Sequence, residues 1–502
     1  MSSPKVIVIG AGMAGLAAAT DLARQGCDVT VFERASQSGG KIREVDVGGT
    51  KIDGGPTVFT MAWVFESLFD DAGESLQSCL PLDSATILAR HRWCDTHGKI
   101  SALDLYADID QSVDAISDFA GKAEGQGYRD FCARSQDIYE TLREPFIARQ
   151  LPNPLSLVSR VGFNRLDALW RTAPHKTMWN ALGTYFKDPR LRQLFGRYAT
   201  YCGSSPFLAP ATLMLIAHVE QSGVWRVKGG MMQVAQALQR LAQRQGVRFQ
   251  FNAHINQIVV EDGRASGVIS ADGEHISADA VVFNGDVSAL GRGLLGDKIK
   301  PAAKSVAPAN RSQSALTWCV TAKTKGMVLA HHNVFFSNDY RSEFEAVFTA
   351  RDLPSMPSIY VCAQDRGDDC VPPSRGTERL LILVNAPADG DIRTFGAAEK
   401  ATARGAAWCL MESCGLEISD ITAVETAPDN FNDLFPASGG ALYGRANHGP
   451  LDSFQRSGSK SQIAGLYLAG GSVHPGPGIP MATLSGRLAA AQIIHDLSTV
   501  KH

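Results

Sequence analysis

Residues 5–15 read KVIVIGAGMAG, and this stretch decides the fold of the 502-residue chain. Its first five residues are mostly β-branched, as is typical of a strand buried on both faces of a parallel sheet. The glycines that follow have the spacing GxGxxG. Gly10 permits a tight turn, Gly12 lets a pyrophosphate approach the backbone, and Gly15 lets a helix pack closely on the strand. Residues 13–25 are rich in Ala and Leu and continue as that helix, so the stretch predicts the first half of a nucleotide-binding βαβ unit.

A second strand and an acidic residue complete this unit. The run Asp28–Glu33 predicts the strand, and Glu33 closes it 18 residues after Gly15. An acid at that position accepts hydrogen bonds from a ribose hydroxyl, while the N–H groups of the helix N-terminus, where Ala14 lies, face the diphosphate. Strand, turn, helix and acid have the required order, and we predict that a dinucleotide binds here.

Two further glycine clusters follow closely. Residues 38–41 read SGGK, and residues 53–57 read DGGPT. This arrangement resembles the two-dinucleotide-binding-domain flavoproteins, which include amine oxidases and carotenoid desaturases. The resemblance implies that FAD is bound noncovalently and that the second glycine pair passes close to its flavin side. The cofactor-contacting residues implied in these two clusters are Gly40, Lys41, Gly55, Pro56 and Thr57.

The C-terminal region of the chain repeats the order of strand, glycine turn and helix. Residues 465–468 form a short apolar run, Gly470 and Gly471 follow it, and residues 474–481 read HPGPGIPM ahead of a helix expected to end near Leu497. In the flavoprotein family this element holds the ribityl chain and the pyrimidine edge of the flavin, where a helix N-terminus stabilises negative charge. The resemblance therefore implies cofactor contacts from Gly470, Gly471, Ile479, Pro480 and Met481.

A more specific resemblance extends over nearly the whole chain. The run GPGIP at residues 476–480 is similar to a signature of bacterial phytoene desaturases. Segments outside the flavin motifs resemble one branch, the 1-hydroxycarotenoid 3,4-desaturases of purple phototrophic bacteria, also called hydroxyneurosporene (methoxyneurosporene) desaturases. These segments are residues 186–191, 196–201, 229–231, 284–286, 331–336 and 360–366. Carried over by position, the resemblance also implies that the Ile255 backbone contacts the adenine and that Asp286 lies near the cofactor.

The organisation along the chain favours an α/β fold with a discontinuous, Rossmann-type two-dinucleotide-binding FAD domain. A mixed β-sheet substrate domain and a helical insertion, which we expect to associate with a membrane, complete the architecture. Three separate segments are predicted to form the FAD-binding domain, namely residues 1–65, 220–290 and 426–502. Between them lie residues 66–219, the mainly helical insertion that faces substrate and membrane, and residues 291–425, the substrate domain.

Composition argues against several other classes of protein. A formal net charge of −3 gives no basic balance for a nucleic-acid partner. The ten cysteines contain no CxxC pair, which argues against a zinc site and a disulfide framework and favours a reducing cytoplasm. Residues 2–5 run directly into the first strand, so we expect no secretory leader. The long uncharged runs 198–219 and 461–486 are interrupted by glycine and proline, and neither is expected to span a membrane.

An arginine-rich amphipathic segment predicts contact with a membrane surface. Between Arg143 and Arg171, five arginines alternate with large apolar residues, against one Glu and one Asp. Such a segment either lies in a membrane interface or is an ordinary surface helix with its arginines in water. Because carotenoids are stored in the bilayer, we expect a cytoplasmic protein in transient, peripheral contact with the inner, photosynthetic membrane.

The resemblance implies that the chain desaturates a carotenoid, and the chemistry of the flavin indicates how the hydrogen atoms are removed. Oxidised flavin accepts a hydride, and a carbon next to a polyene is a good donor because the charge left behind is delocalised. We predict that a double bond forms between C3 and C4 of an acyclic 1-hydroxycarotenoid, with oxygen or a quinone as the electron acceptor.

The sequence identifies no convincing catalytic acid or base. His474, beside the flavin loop, either faces the substrate or supports the loop backbone. For His331 and His332 we expect a packing or turn role, since adjacent histidines lack the i, i+4 spacing of a helical metal pair. We predict no metal.

Other functions remain open from the sequence alone. Phytoene desaturation, carotenoid isomerisation and ketolation use the same scaffold. An amine oxidase would need an aromatic cage for its amine, and no such cage is assigned. A third alternative is a non-catalytic prenyl-binding escort protein, against which the intact phosphate fingerprint and flavin loop argue.

Overall fold

The computed structural model describes residues 3–499. Its strands, in chain order, are β1 Lys5–Ile9, β2 Asp28–Phe32, β3 Glu44–Val47, β4 Thr50–Asp53, β5 Leu82–Ser84, β6 Ile87–Cys94, β7 Ile100–Tyr106, β8 Trp225–Val227, β9 Arg248–Gln250, β10 Ile255–Glu261, β11 Arg264–Ser270, β12 His275–Ser277, β13 Ala280–Phe283, β14 Ser314–Gly326, β15 His332–Phe336, β16 Ile359–Ala363, β17 Glu378–Ala386, β18 Leu416–Thr426 and β19 Leu466–Leu468. Its α-helices are α1 Met13–Arg24, α2 Ala62–Asp71, α3 Leu76–Cys79, α4 Ile109–Ala120, α5 Lys122–Leu142, α6 Pro154–Val161, α7 Leu166–Arg171, α8 Met178–Leu182, α9 Pro189–Gly196, α10 Leu215–Gln221, α11 Met232–Arg244, α12 Val287–Gly291, α13 Tyr340–Glu345, α14 Ala397–Ser413, α15 Pro428–Leu434 and α16 Ile479–Thr499.

A five-stranded parallel sheet forms the first layer, in the order β19-β13-β1-β2-β9. Strand β1 lies in the middle, and Val6, Ile7 and Val8 are at most 3% exposed, which explains the apolar run in the sequence. The strands come from the start, the middle and the end of the chain. The discontinuous Rossmann-type architecture predicted from the sequence is therefore confirmed.

Close helix crossings hold this layer together. Helix α1 packs against both α11 and α16. A Cβ atom on Gly486 of α16 would lie 2.0 Å from the Ala14 carbonyl oxygen. One on Gly15 would lie 2.1 Å from the Gly10 carbonyl oxygen. Real Cβ atoms do not approach an oxygen so closely, so both positions require glycine, and the last long helix is seated directly on the first.

A seven-stranded mixed sheet forms the second layer, in the order β18-β14-β17-β16-β15-β6-β7. Neighbouring strands are antiparallel except β15 and β6, which run parallel. Strands β6 and β7 lie within residues 66–219, for which the sequence pattern indicates helices. The pattern misses these strands because β6 pairs Arg90 with the distant Asn333, and local periodicity carries no sign of such a partner.

Helices α4 to α10 cover the β6–β7 side of the mixed sheet. They pack around a cluster of aromatic rings in which Phe131, Phe186 and Phe195 are fully buried. Within residues 3–499, no helix combines the length and the apolar character needed to cross a membrane.

Candidate active site

A cavity of about 1460 Å³ draws its wall from both sheets and from the helical layer. Pockets for small ligands usually have about 300–1,000 Å³, so this cavity has room for more than one such molecule. It has two different ends. Glycine-rich backbone lines the first, which we call the nucleotide end, and large aliphatic and aromatic side chains line the second, the apolar end.

The nucleotide end lies at the carboxyl ends of β1, β2 and β13, where parallel sheets bind nucleotides. Glu33, directly after β2, is buried and lines the cavity. Its Oε2 accepts a hydrogen bond from the Ala11 N–H (2.7 Å), and its Oε1 accepts one from the Ala35 N–H (2.8 Å). A carboxylate has about four acceptor positions, so both oxygens can also accept from ribose hydroxyls.

Asn284 fixes the glycine turn, a role that the sequence motif did not reveal. Its Oδ1 accepts from the Gly15 N–H (3.0 Å), and its Nδ2 donates to the Ala469 carbonyl (3.0 Å), so it ties the start of α1 to the end of β19. A Cβ atom on Gly12 would lie 2.8 Å from Asn284 Oδ1, which restricts this position to glycine and keeps its backbone open to the cavity. The sequence signal that could have indicated a site role for Asn284 was its position directly after the buried strand β13, at the edge of the sheet where ligands bind.

The structure brings the predicted cofactor residues together from distant regions of the chain. All of them except Gly15 line the cavity, namely Gly10, Gly12, Ala14, Glu33, Gly40, Lys41, Gly55, Pro56, Thr57, Ile255, Asp286, Gly470, Gly471, Ile479, Pro480 and Met481. Gly15 lies behind them and packs α1 on the strand. Direct contact between each residue and a cofactor stays a prediction.

Buried cations stand beside the glycine loops. Arg456, which the sequence motifs did not single out, donates to the carbonyl oxygens of Gly471 (3.2 Å) and Arg445 (2.6 Å). Burial lowers the pKa of Arg456 to about 10, so it stays charged at neutral pH. The Lys41 ammonium donates to the Leu442 carbonyl (2.6 Å), and burial lowers its pKa as well. Both side chains line the cavity and brace its wall.

His474 supports the C-terminal loop instead of facing the cavity. It is 1% exposed, packs edge-on against the Phe146 ring, and places Nε2 2.9 Å from the Arg149 carbonyl oxygen. Burial lowers the pKa of His474 to about 4, so the ring is neutral at physiological pH. A catalytic base has to reach the proton that it removes, and this ring is enclosed by protein. The structure therefore gives the catalytic hypothesis no support, and the contacts of His474 match the loop-supporting alternative.

A chain of hydrogen bonds reaches the cavity wall from β15. The Thr57 hydroxyl lies 2.7 Å from the Tyr360 hydroxyl, which lies 2.7 Å from His332 Nδ1. His331, His332 and Cys362 hold their potential ligand atoms within 4.8 Å of one another, a grouping that the sequence spacing did not indicate. Burial lowers the pKa of both histidines, so their rings are neutral. His332 thus adds a hydrogen bond to its expected packing role, and the absence of a metal stays a prediction.

A second polar group lines the same cavity. Arg197 and Tyr201 belong to a helical turn, Arg197–Cys202, that follows α9, and Glu220 lies on α10. The Arg197 guanidinium donates to the Tyr201 hydroxyl (3.1 Å), and Tyr201 donates to the Glu220 carboxylate (2.9 Å). The sequence singled out residues 196–201 as characteristic of one branch without assigning them a role.

A family model described as flavin containing amine oxidoreductase matches residues 13–494. The chain belongs to this family. Its cofactor is FAD, and the nucleotide end fits this group: it has a glycine-lined backbone, a buried carboxylate at the end of β2 and an open helix N-terminus.

Named relatives of this flavoprotein cover nearly its whole length. It is 51% identical over 497 residues to the hydroxyneurosporene desaturase of Rubrivivax gelatinosus, covering 99% of this chain and 94% of the relative. It is 40% identical to that of Cereibacter sphaeroides, covering 99% and 98%. It is 31% identical to the 1-hydroxycarotenoid 3,4-desaturase of a Flavobacterium species, covering 97% and 98%. The family resemblance stated from the sequence is confirmed.

Solved structures of other oxidases share the fold. A putrescine oxidase aligns with a TM-score of 0.60 at 16% identity, covering 98% of this chain and 99% of that one. The cyclohexylamine oxidase of Brevibacterium oxydans aligns with a TM-score of 0.57 at 15% identity, covering 99% and 100%. At this level of identity the likeness concerns the fold alone.

Proposed function

We propose that this flavoprotein is a carotenoid desaturase that introduces a C3–C4 double bond into acyclic 1-hydroxycarotenoids, in carotenoid biosynthesis of the spheroidene and spirilloxanthin type. The observation that carries the proposal is an apolar end of the cavity that is continuous with the FAD end. Relatives at 51% and 40% identity bear the name hydroxyneurosporene desaturase, which supports the same substrate class.

The apolar end suits a long hydrocarbon. Aliphatic and aromatic side chains from α5, α6, α7, α10, β17 and the helical turns Arg143–Ile147 and Ala211–Met214 line it. They include Leu142, Phe146, Ile147, Leu157, Leu169, Leu213, Leu215, Ile216, Val219, Leu381 and Leu383. Such a wall excludes water and binds a polyene through apolar burial, at roughly 25 cal/mol for each Å² removed from water. An amine substrate would gain little from it.

We assign the cofactor-holding roles along the nucleotide end. The backbone at Gly12 and the start of α1 would hold the pyrophosphate, and Glu33 a ribose. Thr57 and Gly471, which also line the cavity, would lie at the flavin side. When bound there, FAD supplies the hydride acceptor, with oxygen or a quinone as the final oxidant.

The residues of the chain orient the substrate and keep water out. Hydride leaves C4 because the positive charge that remains is delocalised along the polyene, and loss of a proton from C3 then forms the double bond. Water in the cavity would trap such a charge, and the apolar side chains exclude it. The wall therefore has to hold C4 and C3 in one orientation, and orientation alone contributes a large share of the rate in reactions of this kind.

We further propose that the protein docks peripherally on the cytoplasmic side of the inner membrane. Leu155 and Trp170 are 83% and 70% exposed on α6 and α7. On the same helices, Leu157 lies two residues after Leu155 and Leu169 directly precedes Trp170, and both line the cavity. An exposed apolar face next to the apolar end gives a lipid-soluble substrate a short path from the bilayer. The exposed Arg149, Arg160 and Arg165 lie in the same segment and favour anionic lipids.

One experiment tests the proposed reaction. FAD-loaded enzyme is incubated separately with 1-hydroxyneurosporene and with phytoene, under air and anaerobically with a quinone, and the products are separated by chromatography. We expect the hydroxylated carotenoid to gain the C3–C4 double bond and phytoene to remain unchanged. Conversion of phytoene without turnover of 1-hydroxyneurosporene would show that the substrate class is wrong.

A further inference from the structure

Three polar side chains of the cavity wall are joined by hydrogen bonds. They are Arg197, Tyr201 and Glu220, which we call the polar triad. The Glu220 carboxylate accepts one hydrogen bond from Tyr201 (2.9 Å) and one from Tyr198 (2.7 Å). Buried charges are retained where they are paired and hydrogen-bonded, and the triad satisfies this for Glu220.

Arg197 has more donors than the protein uses. A guanidinium carries five N–H donors, and among residues 3–499 a single hydrogen bond from it is found, to the Tyr201 hydroxyl. Burial disfavours its charge, but Tyr201 and Glu220 outweigh burial and raise the pKa of Arg197, so the guanidinium is always charged. It is half-buried and lines the cavity. Its remaining donors therefore call for an oxygen acceptor from the ligand.

The position of the triad relates it to the flavin end. Burial raises the pKa of Tyr360, and Tyr201 and Arg197 lie close enough to add opposing electrostatic contributions. Tyr360 itself is hydrogen-bonded to Thr57, which we assign to the flavin side. Thr57, Tyr360 and the triad all line this one cavity, so a substrate whose reacting carbons lie at the flavin side can also reach the triad. In a 1-hydroxycarotenoid the oxygen on C1 is only a few bonds from C4, so one end of the substrate can meet both.

We propose that Arg197 and Tyr201 bind the C1 hydroxyl of the substrate and thereby determine specificity for hydroxylated carotenoids. Arg197 donates to the hydroxyl oxygen, the hydroxyl donates to Tyr201 Oη, and Tyr201 continues to donate to Glu220. The substrate hydroxyl and the Tyr201 hydroxyl then each have a donor and an acceptor, and Arg197 gains a second acceptor. The inference rests on the proposed function and names the residues that recognise the hydroxyl group of its substrate.

When an analogue without the hydroxyl binds, Arg197 lacks the acceptor and Tyr201 lacks the donor that the hydroxyl would supply. Sites built to hydrogen-bond a substrate hydroxyl reject such analogues strongly, because their buried polar groups stay unpaired. The hydrogen-bonding groups of the triad can therefore discriminate against carotenoids that lack the C1 hydroxyl. The cavity does not have to exclude those carotenoids by their size.

Tyr198 and Tyr201 provide a matched pair of variants. Both donate to Glu220, but only Tyr201 belongs to the cavity wall among the described residues. Tyr201→Phe removes a hydroxyl that faces the ligand, and Tyr198→Phe removes one that faces only the carboxylate. A third variant, Arg197→Met combined with Glu220→Gln, removes both charges together and leaves no unpaired ion.

The experiment compares two substrates that differ only in the oxygen. FAD-loaded wild type and variants are assayed with 1-hydroxy-1,2-dihydroneurosporene and with 1,2-dihydroneurosporene, and kcat/KM is measured for each. In the double variant we expect the preference for the hydroxylated substrate to fall about tenfold or more, since a hydrogen bond to a charged group is lost. Tyr201→Phe should lower the preference severalfold, and Tyr198→Phe should leave it unchanged. Flavin content and equilibrium binding of both carotenoids, followed by their absorption, give readouts besides turnover.

The outcomes separate this inference from the proposed function. A wild type that fails to convert or bind the hydroxylated substrate would overturn both. A wild type that prefers it, together with variants that keep the same preference, would overturn only the role of the triad. If the double variant loses its flavin, the test is the comparison of Tyr201→Phe with Tyr198→Phe. An equal change in substrate preference in both variants would show that the triad has a purely structural role.

Discussion

The two ends of the cavity are built in different ways. At the nucleotide end the wall is mostly backbone, and its glycines come in short motifs such as residues 10–15 and 53–57. At the apolar end the wall consists of side chains taken a few at a time from α5, α6, α7, α10 and three strands of the mixed sheet. A site made of backbone leaves a fixed spacing in the sequence, whereas a site made of side chains from many elements leaves none. The cofactor can therefore be identified from local motifs, and the substrate cannot.

The most severe disruption of the nucleotide end is expected from Gly12→Val. A Cβ atom there would lie 2.8 Å from Asn284 Oδ1, and the rest of the side chain would occupy the space of the pyrophosphate. We expect purified protein to retain no flavin, measured as the ratio of flavin to protein absorbance. The control is Gly405→Val on α14, where the structure places nothing within 4 Å of the added Cβ. A fully flavinated Gly12→Val protein would show that the phosphate site lies elsewhere.

The second prediction concerns the proposed docking of the exposed apolar face of α6 and α7, next to the apolar end, on a membrane. Replacing Leu155 and Trp170 by serine should weaken binding to anionic liposomes about tenfold or more, since burying a large apolar side chain contributes about 1.5–3 kcal/mol. Flotation measures the bound fraction, and salt should reduce it for the wild type because surface charges are screened within about 8–10 Å. Ile392→Ser, a change at a site 62% exposed on another segment, is the control. Equal flotation of all three proteins would contradict docking through α6 and α7.

Asn284→Ala tests whether this side chain holds the glycine turn at the nucleotide end. The variant leaves the Gly15 N–H and the Ala469 carbonyl without their partner. Each unpaired buried group costs about 1–3 kcal/mol, so we expect the free energy of unfolding to fall by about 2 kcal/mol or more and FAD to bind more weakly. Urea unfolding and flavin titration measure the two effects. Asn310→Ala, at an exposed position, should change neither. An unchanged FAD affinity in Asn284→Ala would mean that the glycine turn holds its shape unaided.

The smallest effect on turnover is expected from His474→Asn. A ring that only supports the loop can be replaced with a change in kcat, per bound flavin, of about threefold or less, whereas loss of a catalytic base costs about 10²–10⁴-fold. A loss on that larger scale would restore the catalytic hypothesis for His474.

His474 also contributes to the dependence of stability on pH. Burial lowers its pKa from 6.5 to about 4, so as the pH falls the unfolded chain binds the proton first. The stability contributed by the neutral ring is complete above pH 6.5 and is lost as the pH falls toward 4. The urea midpoint of the wild type should therefore decrease across this range, and that of His474→Asn should decrease less. Identical slopes would contradict the buried, neutral state of the ring.

The same contrast explains how much of the fold was predictable. Local pattern indicated the β1–α1–β2 unit, and the structure places its three elements within a residue or two of expectation. Strands β6 and β7 were missed because their place depends on pairing with β15, which enters the sheet far later in the sequence. Local propensity determines an element only where no distant partner overrides it.

The site follows the same rule. All predicted cofactor residues except Gly15 line the cavity. Most of them belong to glycine motifs, whereas Ile255 and Asp286 were implied by the resemblance alone. Asn284, Arg456 and the polar triad were not assigned roles, since each acts across elements that meet only in the folded chain. The sequence left His474 between two roles, because proximity in sequence to the flavin loop does not give the direction in which the ring points.

The close seating of α16 on α1 has a consequence for synthesis of the protein. All strands of the mixed sheet precede residue 427, so that layer can form while translation continues. Among the described elements, strand β19 and helix α16, which complete the FAD end, are made after all the others. At about 5–20 residues per second, the ribosome needs several seconds to extend the chain from the last strand of the mixed sheet to the end of α16. During this interval a nascent chain lacks part of the nucleotide end, because α16 has not yet docked against Ala14.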